Sequence, residues 1–118
     1  MAKKKKAIAF PPQPAIAERQ LLGDDEAHAL MRLFKVFAND TRLRLLHALV
    51  REEELCVGDL AVAVGMKPQA VSNQLQRLVD RGMVGTRRNG TSIYYRVVDP
   101  CVPVLLERGL CLIACCPE

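Results

Sequence analysis

Aromatic residues are scarce in this sequence: tryptophan is absent, and only three phenylalanines and two tyrosines occur among its 118 residues. Half of the residues are nevertheless apolar, so the core must consist mainly of Leu, Val and Ala, which suits packed helices. A chain of this length predicts one domain with a modest core. No apolar run approaches the roughly 20 residues of a membrane span, so we expect no membrane partner.

Histidine is also scarce, with two residues, whereas cysteine occurs five times. An odd number of cysteines argues against a disulfide scaffold. The basic run Lys3–Lys6 resembles the start of a signal peptide, but Pro11, Pro12 and Pro14 interrupt the apolar segment too early for one. We therefore expect a cytoplasmic protein.

Acidic residues are almost missing from positions 67–96, where Asp80 is the only one. The same stretch contains six basic side chains: Lys67, Arg77, Arg81, Arg87, Arg88 and Arg96. The whole chain has a formal net charge of +4, which equals the charge of Lys3–Lys6, so the remainder is neutral overall. A basic stripe in a neutral remainder is typical of a surface that contacts phosphates, although a merely solvated face is the alternative.

Composition divides the chain into two parts. Residues 1–16 combine the lysine run with a proline-rich, patternless segment, and we expect a disordered arm that either attracts phosphates or only adds solubility. Residues 17–118 form the predicted domain. Its first helix follows the acidic turn Asp24–Glu26 and carries apolar residues at helical spacing, namely Leu30, Leu33, Phe34 and Phe37. Asp40 is the expected cap of a second helix, with one apolar stripe at Leu43, Leu46 and Val50 and two leucines beside it, Leu45 and Leu49.

The middle of the chain has the order helix, turn, helix, hairpin. A short helix is predicted over 57–63, Gly65 forms a turn, and a second helix opens at Lys67-Pro68 and runs to Val79. Two strands flank residues 87–90, where Asn89-Gly90 is a strong signal for a two-residue turn. The predicted fold is therefore mainly α with a small β-hairpin, a winged helix-turn-helix.

The second of these helices carries the side chains that would read DNA. Its apolar positions face the core, which leaves amides and a hydroxyl free to pair with base edges, at Gln69, Ser72, Asn73 and Gln76. The basic side chains around them are expected to hold phosphates, namely Lys67, Arg77, Arg87 and Arg88.

A final helix is predicted from about Pro100 to Ala114, and it is more apolar than a terminal helix on a small domain requires. Its apolar positions are Val102, Val104, Leu105, Leu106, Leu110, Leu112 and Ile113. Dimerisation through the terminal helices would cover this surface, and folding back onto the chain's own core is the alternative.

With these residues laid out, the chain resembles the ArsR/SmtB family of bacterial metal-sensing repressors over about residues 28–114. The resemblance rests on the segments 33–46, 54–60 and 69–75 and on the hairpin strand at 93–97. It implies a homodimer that binds a palindromic operator and blocks transcription until a captured ligand lowers its affinity for DNA. Two recognition helices related by a two-fold axis then lie about one turn of duplex apart.

The family's ligand sites do not transfer unchanged. Its thiol site pairs the cysteine that matches Cys56 with a second one two residues on, where this chain has Gly58. Its site on the last helix uses histidine and carboxylate ligands for zinc, whereas the two histidines here, His28 and His47, lie outside that helix.

The cysteines predict a soft-ion site of another kind. Cys111 and Cys115 share one face of the predicted final helix, and Cys116 follows before Pro117, which favours an extended conformation that could bring a third sulfur to the pair. Three thiolates suit a thiophilic effector, with As(III) and Sb(III) favoured and Cd(II), Pb(II) and Hg(II) as further candidates. The alternative is a frayed terminus with incidental thiols.

Cys101 and Cys56 are the secondary candidates. Cys101 lies about 15 Å from Cys111 along a straight helix, so it could join the cluster only across a dimer. Cys56 starts a helix, a position that favours the thiolate, and it could receive a tail sulfur from either subunit. For both, a small buried apolar role is the alternative.

Two other functions use the same thiols. A redox or persulfide switch would keep the DNA binding and replace the metal by sulfur chemistry. A small thiol enzyme is disfavoured, because no Cys-x-x-Cys pair occurs and no histidine base lies near the cysteines in the sequence.

Overall fold

A computed structural model describes residues 15–115 of the chain. A short 3-10 helix at Ile16–Glu18 precedes helix α1 (Asp24–Phe37) and helix α2 (Asp40–Glu52). The expected arm lies almost entirely outside the described residues. Within residues 15–115, no helix is both long and apolar enough to cross a membrane.

The boundary between α1 and α2 is set by Asn39 rather than by Asp40. The Asn39 side chain accepts a hydrogen bond of 3.0 Å from the backbone N–H of Arg42, which makes Asn39 the cap of α2. Asp40 is the first residue of the helix, and its carboxylate accepts from the next backbone N–H, that of Thr41, at 2.8 Å. The prediction that Asp40 caps α2 was therefore wrong by one residue, because two neighbouring residues can both serve as caps.

The helix-turn-helix consists of α3 (Val57–Val64) and α4 (Pro68–Asp80). Gly65 ends α3 in the left-handed conformation, with φ 68°, which glycine adopts without steric cost. Pro68 occupies the first turn of α4, where its missing N–H leaves no helical hydrogen bond unmade. Both elements agree with the predicted order.

The wing is larger than predicted. It is a three-stranded antiparallel sheet with the order β1-β3-β2, formed by β1 (Leu55–Cys56), β2 (Val84–Asn89) and β3 (Ser92–Val97). The additional strand β1 pairs Leu55 with Tyr95 and Cys56 with Tyr94.

The turn of the hairpin is shifted by one residue from the prediction. Asn89 pairs with Ser92, so the two turn residues are Gly90 and Thr91, and Gly90 takes the positive φ of 66°. Arg87 and Arg88 consequently lie within β2 and not in the turn.

The core is aliphatic, as the composition predicts. Its fully buried side chains come from α2, α3, α4 and α5: Leu45, Leu46, Leu49, Leu60, Val71, Leu75, Leu78 and Val102. On α2 the buried stripe is Leu45, Leu46 and Leu49, whereas Leu43 and Val50 from the predicted stripe are only half-buried. The predicted stripe differs from the observed one because the leucines of this short helix form two neighbouring apolar faces, and the periodicity does not show which of them is buried.

Helix α5 (Cys101–Cys115) packs against α2 only near its start. Val102 is its one buried residue, and Leu105 and Leu106 are partly buried against the core. The distal residues Leu110 and Ile113 are 60% and 68% exposed. The distal half of α5 therefore does not fold back onto the core of its own subunit.

Replacing Asn39 by alanine should lower the free energy of unfolding by about 1 kcal/mol, because the backbone N–H of Arg42 loses its acceptor. Asn39→Asp keeps a capping oxygen and should remain close to the wild type. Urea unfolding followed by circular dichroism measures both. If Asn39→Ala is as stable as the wild type, the cap assignment is wrong.

Candidate DNA interface and thiol cluster

The exposed side of α4 presents a row of polar side chains. Gln69 donates to the Asn73 side-chain oxygen at 3.1 Å, and Gln76 donates to Asp80 at 2.8 Å. These contacts join residues four apart, so they hold the side chains along one line of the helix surface. Ser72 is half-buried at the edge of this row. The structure thus brings together the predicted base readers, with Asp80 added at the end.

The cationic residues near α4 are distributed around the row. Lys67 is exposed at the cap position that precedes α4, and Arg77 is exposed in its last turn. Arg88 is exposed on β2 of the wing. All three lie where contact with solvent, and therefore with a phosphate, is unobstructed.

Arg87 differs from the other predicted phosphate contacts because it already has a partner. Its guanidinium donates to both carboxylate oxygens of Glu54, at 3.0 and 2.7 Å, and lies 5.0 Å from the centroid of the Tyr94 ring. The hydrogen bond and the charge of Glu54 raise the pKa of Arg87. A bidentate pair of this geometry neutralises the cation locally. Arg87 can hold a phosphate only by giving up Glu54 or sharing itself between the two anions.

The recognition helix is held by an arginine that no sequence pattern indicates. Arg42 on α2 donates to the backbone oxygen of Val36 at 2.7 Å, to the side chain of Gln74 at 2.9 Å and to the backbone oxygen of Lys35 at 3.4 Å. It therefore ties the end of α1 to the middle of α4. Its partners are 6, 32 and 7 residues away in the sequence, which is why spacing alone cannot find them.

A cleft forms beside this arginine, and we call it the basic cleft. Its volume is about 330 Å³, and its lining residues are Lys35, Val36, Arg42, Arg77, Asp80 and Arg81. Four of the six are cationic and one is acidic. Arg77 was among the predicted phosphate contacts and Arg81 belonged to the predicted basic stripe, whereas Lys35 and Arg42 come from α1 and α2 and were not predicted to contact DNA.

The predicted thiol cluster is partly assembled. The sulfurs of Cys111 and Cys115 lie 3.8 Å apart on the exposed end of α5. Cys116 lies outside the described residues. Among residues 15–115, no group of three or more cysteine, histidine or carboxylate side chains is close enough to hold a metal ion. Within the described part of the chain, Cys111 and Cys115 are thus the two predicted ligands that lie together.

The remaining cysteines are separate from this pair. Cys56 is half-buried at the start of α3, and its thiol donates to the Asp59 carboxylate at 3.3 Å. Cys101 is exposed at the other end of α5, where partial desolvation and the Asp99 carboxylate raise the pKa of its thiol. A raised pKa lowers the fraction of thiolate, the form that binds metals.

Comparisons with known proteins agree with this architecture. The chain matches a family model described as the MarR family over residues 39–92, from the cap of α2 to the start of β3. It is 40% identical over 80 residues to a transcriptional repressor SmtB homolog from Synechocystis, an alignment that covers 68% of this chain and 60% of that protein. It is 30% identical over 89 residues to the cadmium resistance regulator CadC from Listeria innocua, covering 75% of each.

Two solved structures extend the likeness to three dimensions. The crystal structure of AntR, an antimony-specific transcriptional repressor, is 60% identical, covers 90% of this chain and 96% of its own, and superposes with a TM-score of 0.76. The homodimeric winged helix-turn-helix domain from Mycobacterium bovis, a possible ArsR-family regulator, is 32% identical with a TM-score of 0.68, covering 85% of this chain and 94% of its own.

The solved relatives confirm the predicted winged helix-turn-helix. The SmtB homolog, CadC and AntR are transcriptional regulators, which supports the expectation that the chain is not a thiol enzyme. The helices, the wing and the sequence matches all agree on one assignment. The chain belongs to the ArsR/SmtB family of transcriptional repressors.

Proposed function

We propose that this protein is a cytoplasmic, homodimeric repressor that leaves its double-stranded operator when cysteine thiolates capture a thiophilic metal or metalloid. As(III) and Sb(III) are the favoured effectors, and Cd(II), Pb(II) and Hg(II) are further candidates. The observation that carries the proposal is the pair of exposed sulfurs, Cys111 and Cys115, 3.8 Å apart at the end of a helix outside the core.

The thiol pair suits a soft ion because thiolates are soft ligands. Two sulfurs at this distance can approach one ion together, and a trigonal As(III) or Sb(III) then needs a third. Cys116 can supply it from the same chain, and Cys101 or Cys56 can supply it from a partner subunit. A relative 60% identical to this chain is an antimony-specific repressor, and one from Pseudomonas putida, 39% identical over 78 residues, is an arsenic resistance regulator.

The proposed dimer covers the exposed apolar surface of the terminal helices. On α1, Leu30, Met31 and Phe34 are between 41% and 48% exposed, and on α5 the distal apolar residues are more exposed still. Burial of such a surface between two copies is favourable by about 25 cal/mol per Å² of apolar area. A solved relative that is 32% identical is a homodimer.

The thiol pair and the proposed dimer contacts both lie on α5. Binding of the effector can therefore change the dimer arrangement on which DNA binding depends. An ion that draws the end of α5 toward a third sulfur favours dimers with a particular helix arrangement. Operator binding favours the arrangement that spaces the two α4 helices by about one duplex turn. The ion weakens repression only by the difference in its affinity for the two arrangements.

In the proposed complex, Gln69, Ser72, Asn73 and Gln76 face the bases, because their amides and hydroxyl match the hydrogen-bonding edges of the major groove. Lys67, Arg77, Arg87 and Arg88 contact phosphates, which position the protein without reading sequence.

A second candidate uses the same sulfur pair as a redox switch. Oxidation of Cys111 and Cys115 by a peroxide would form one S–S bond, with two electrons passing to the peroxide and two thiol protons leaving with the products. A polysulfide could instead transfer a sulfur atom to one thiol. The 3.8 Å separation favours this chemistry as well as metal capture.

Asn73→Ala and Gln69→Ala should each weaken operator binding by about 1–3 kcal/mol and reduce the preference for the operator over unrelated duplex, because each removes a base contact. Gln20→Ala, an exposed glutamine before α1, is the control and should bind as the wild type does. Fluorescence anisotropy with both duplexes measures the effect. An equal loss on both duplexes would contradict the assignment as base readers.

Glu54→Gln should increase DNA affinity and steepen its salt dependence by up to about 1.8 in log–log slope for the dimer, because Arg87 becomes free for one more phosphate in each subunit. The gain should vanish in the Arg87→Gln background, which a double-mutant cycle tests. If Glu54→Gln raises affinity equally in both backgrounds, Glu54 acts on DNA without Arg87.

Cys111→Ser and Cys115→Ser should each abolish release from the operator by arsenite and antimonite, because a serine hydroxyl is a poor ligand for a soft ion. DNA affinity without the ion should stay at the wild-type value. Cys56→Ser and Cys101→Ser variants then show whether either supplies the third sulfur. Metal stoichiometry per dimer and anisotropy in the presence of each ion are the measurements.

Release by peroxide or polysulfide, with none by any of the five ions, would favour the redox switch over the metal sensor. Intact-mass spectrometry separates the outcomes, since a disulfide lowers the mass by about two hydrogens, a persulfide adds the mass of one sulfur, and a bound ion adds its own mass less that of the thiol protons it displaces.

A further inference from the structure

The cationic side chains of the basic cleft outnumber the acidic groups that could pair with them. Within residues 15–115, the ion pairs join Arg19 to Glu26 and Arg87 to Glu54, and neither involves the cleft. Its one carboxylate, Asp80, accepts a hydrogen bond from Gln76. A concentration of cations with a single acidic neighbour attracts an anion.

One of the four cations is already committed to the fold. Arg42 is half-buried and directs its guanidinium to two backbone oxygens and to Gln74. Its charge remains, so it makes the cleft wall positive without needing to move. Lys35, Arg77 and Arg81 are exposed and keep their donors for a bound group.

The cleft adjoins the row of proposed base readers. Arg77 follows Asn73 by four residues and Arg81 follows Arg77 by four, so the three lie along one side of the recognition helix. When α4 occupies a major groove, the groove is bordered by phosphates on both sides. The side chains just beside the reading face are the ones that meet them.

We propose that the basic cleft is a phosphate-binding site for the DNA backbone that borders the groove occupied by α4. Lys35 and Arg81 contact the phosphodiester groups together with Arg77, and Arg42 supports them electrostatically. This inference rests on the proposed DNA binding. It extends the DNA-contacting surface to α1, a helix that belongs neither to the helix-turn-helix nor to the wing.

This site gives α1 two tasks. Its exposed apolar face carries the proposed dimer contacts, and Lys35 in its last turn contacts DNA. The backbone oxygen of Lys35 is held by Arg42, which also holds α4 through Gln74. A change in dimer arrangement that moves α1 therefore alters phosphate contacts as well as the spacing of the recognition helices.

The test compares Lys35→Gln and Arg81→Gln with the wild-type dimer on an operator duplex and on a scrambled duplex of equal length. Each variant removes one phosphate contact from each subunit of the dimer, so it should reduce the log–log salt slope by about 1.8, which corresponds to roughly a twelvefold change in relative affinity between 50 and 200 mM salt. The loss should be the same on both duplexes, because phosphate contacts carry no sequence information. Arg81→Lys should restore most of the slope.

Arg51→Gln is the matched control. It removes the same charge from an exposed arginine at the opposite end of α2 from Arg42, about 14 Å away along the helix. Slopes for the cleft variants that equal those of the wild type or of Arg51→Gln overturn the proposal. In that case, base-reader variants that still lose operator preference show that the DNA-binding function itself stands.

A free anion, such as inorganic phosphate, is the other ligand that could bind to the cationic side chains of the basic cleft. Titration of inorganic phosphate, followed by NMR shifts of the Lys35 and Arg81 backbone amides, measures it directly. Shifts without any change of DNA salt slope in the variants would assign the cleft to a soluble anion and overturn the DNA contact.

Discussion

The arrangement of the whole domain depends on α2, a helix that has to fit five neighbours at once. It packs against α1, α3, α4, α5 and β3, and its buried leucines, Leu45, Leu46 and Leu49, fill the space between them. Large aliphatic side chains at full burial tolerate little displacement, since lost volume and overpacking both cost stability. The position of the DNA-reading helix is therefore a consequence of how leucines on another helix pack.

The hydrogen bonds of Arg42 add to the constraint that this packing places on the helices. Apolar side chains fix the distance between α2 and α4 but are less specific about rotation and sliding. Arg42 adds directional hydrogen bonds to Gln74 and to the end of α1, so the register between the three helices is defined as well. The wing has its own counterpart in Arg87, which Glu54 and Tyr94 hold across the sheet. Arg42 thus links three helices, and Arg87 links Glu54 to the sheet of the wing.

Local sequence patterns could predict the order of elements, because helical periodicity and residues such as Pro68, Gly65 and Gly90 determine the conformation of the chain within a few positions. Local patterns could not decide which of two neighbouring residues caps a helix or forms a turn when both are suitable. Asn39 and Asp40 are both capping residues, and the hairpin turn is equally compact one residue later. The strand β1 has only two residues and exists because β3 is beside it, which no local pattern encodes.

The candidate site divides in the same way. The polar row of α4 and the pair Cys111 and Cys115 follow from helical spacing and were predictable. The partner of Arg87 and the lining of the basic cleft depend on residues brought together from distant segments.

The distal half of α5 extends beyond the packed core of the subunit. Selection on the residues of this half is therefore separate from selection on the stability of the fold. Substitutions at its thiols or apolar positions remove no buried contact of the single subunit, so they cost the isolated fold little. Under the proposed function, the residues that bind the effector can therefore change by point mutation, one ligand at a time, without disturbing the packed helices that position α4. A small regulator built in this way can acquire a new inducer without having to be reinvented as a fold.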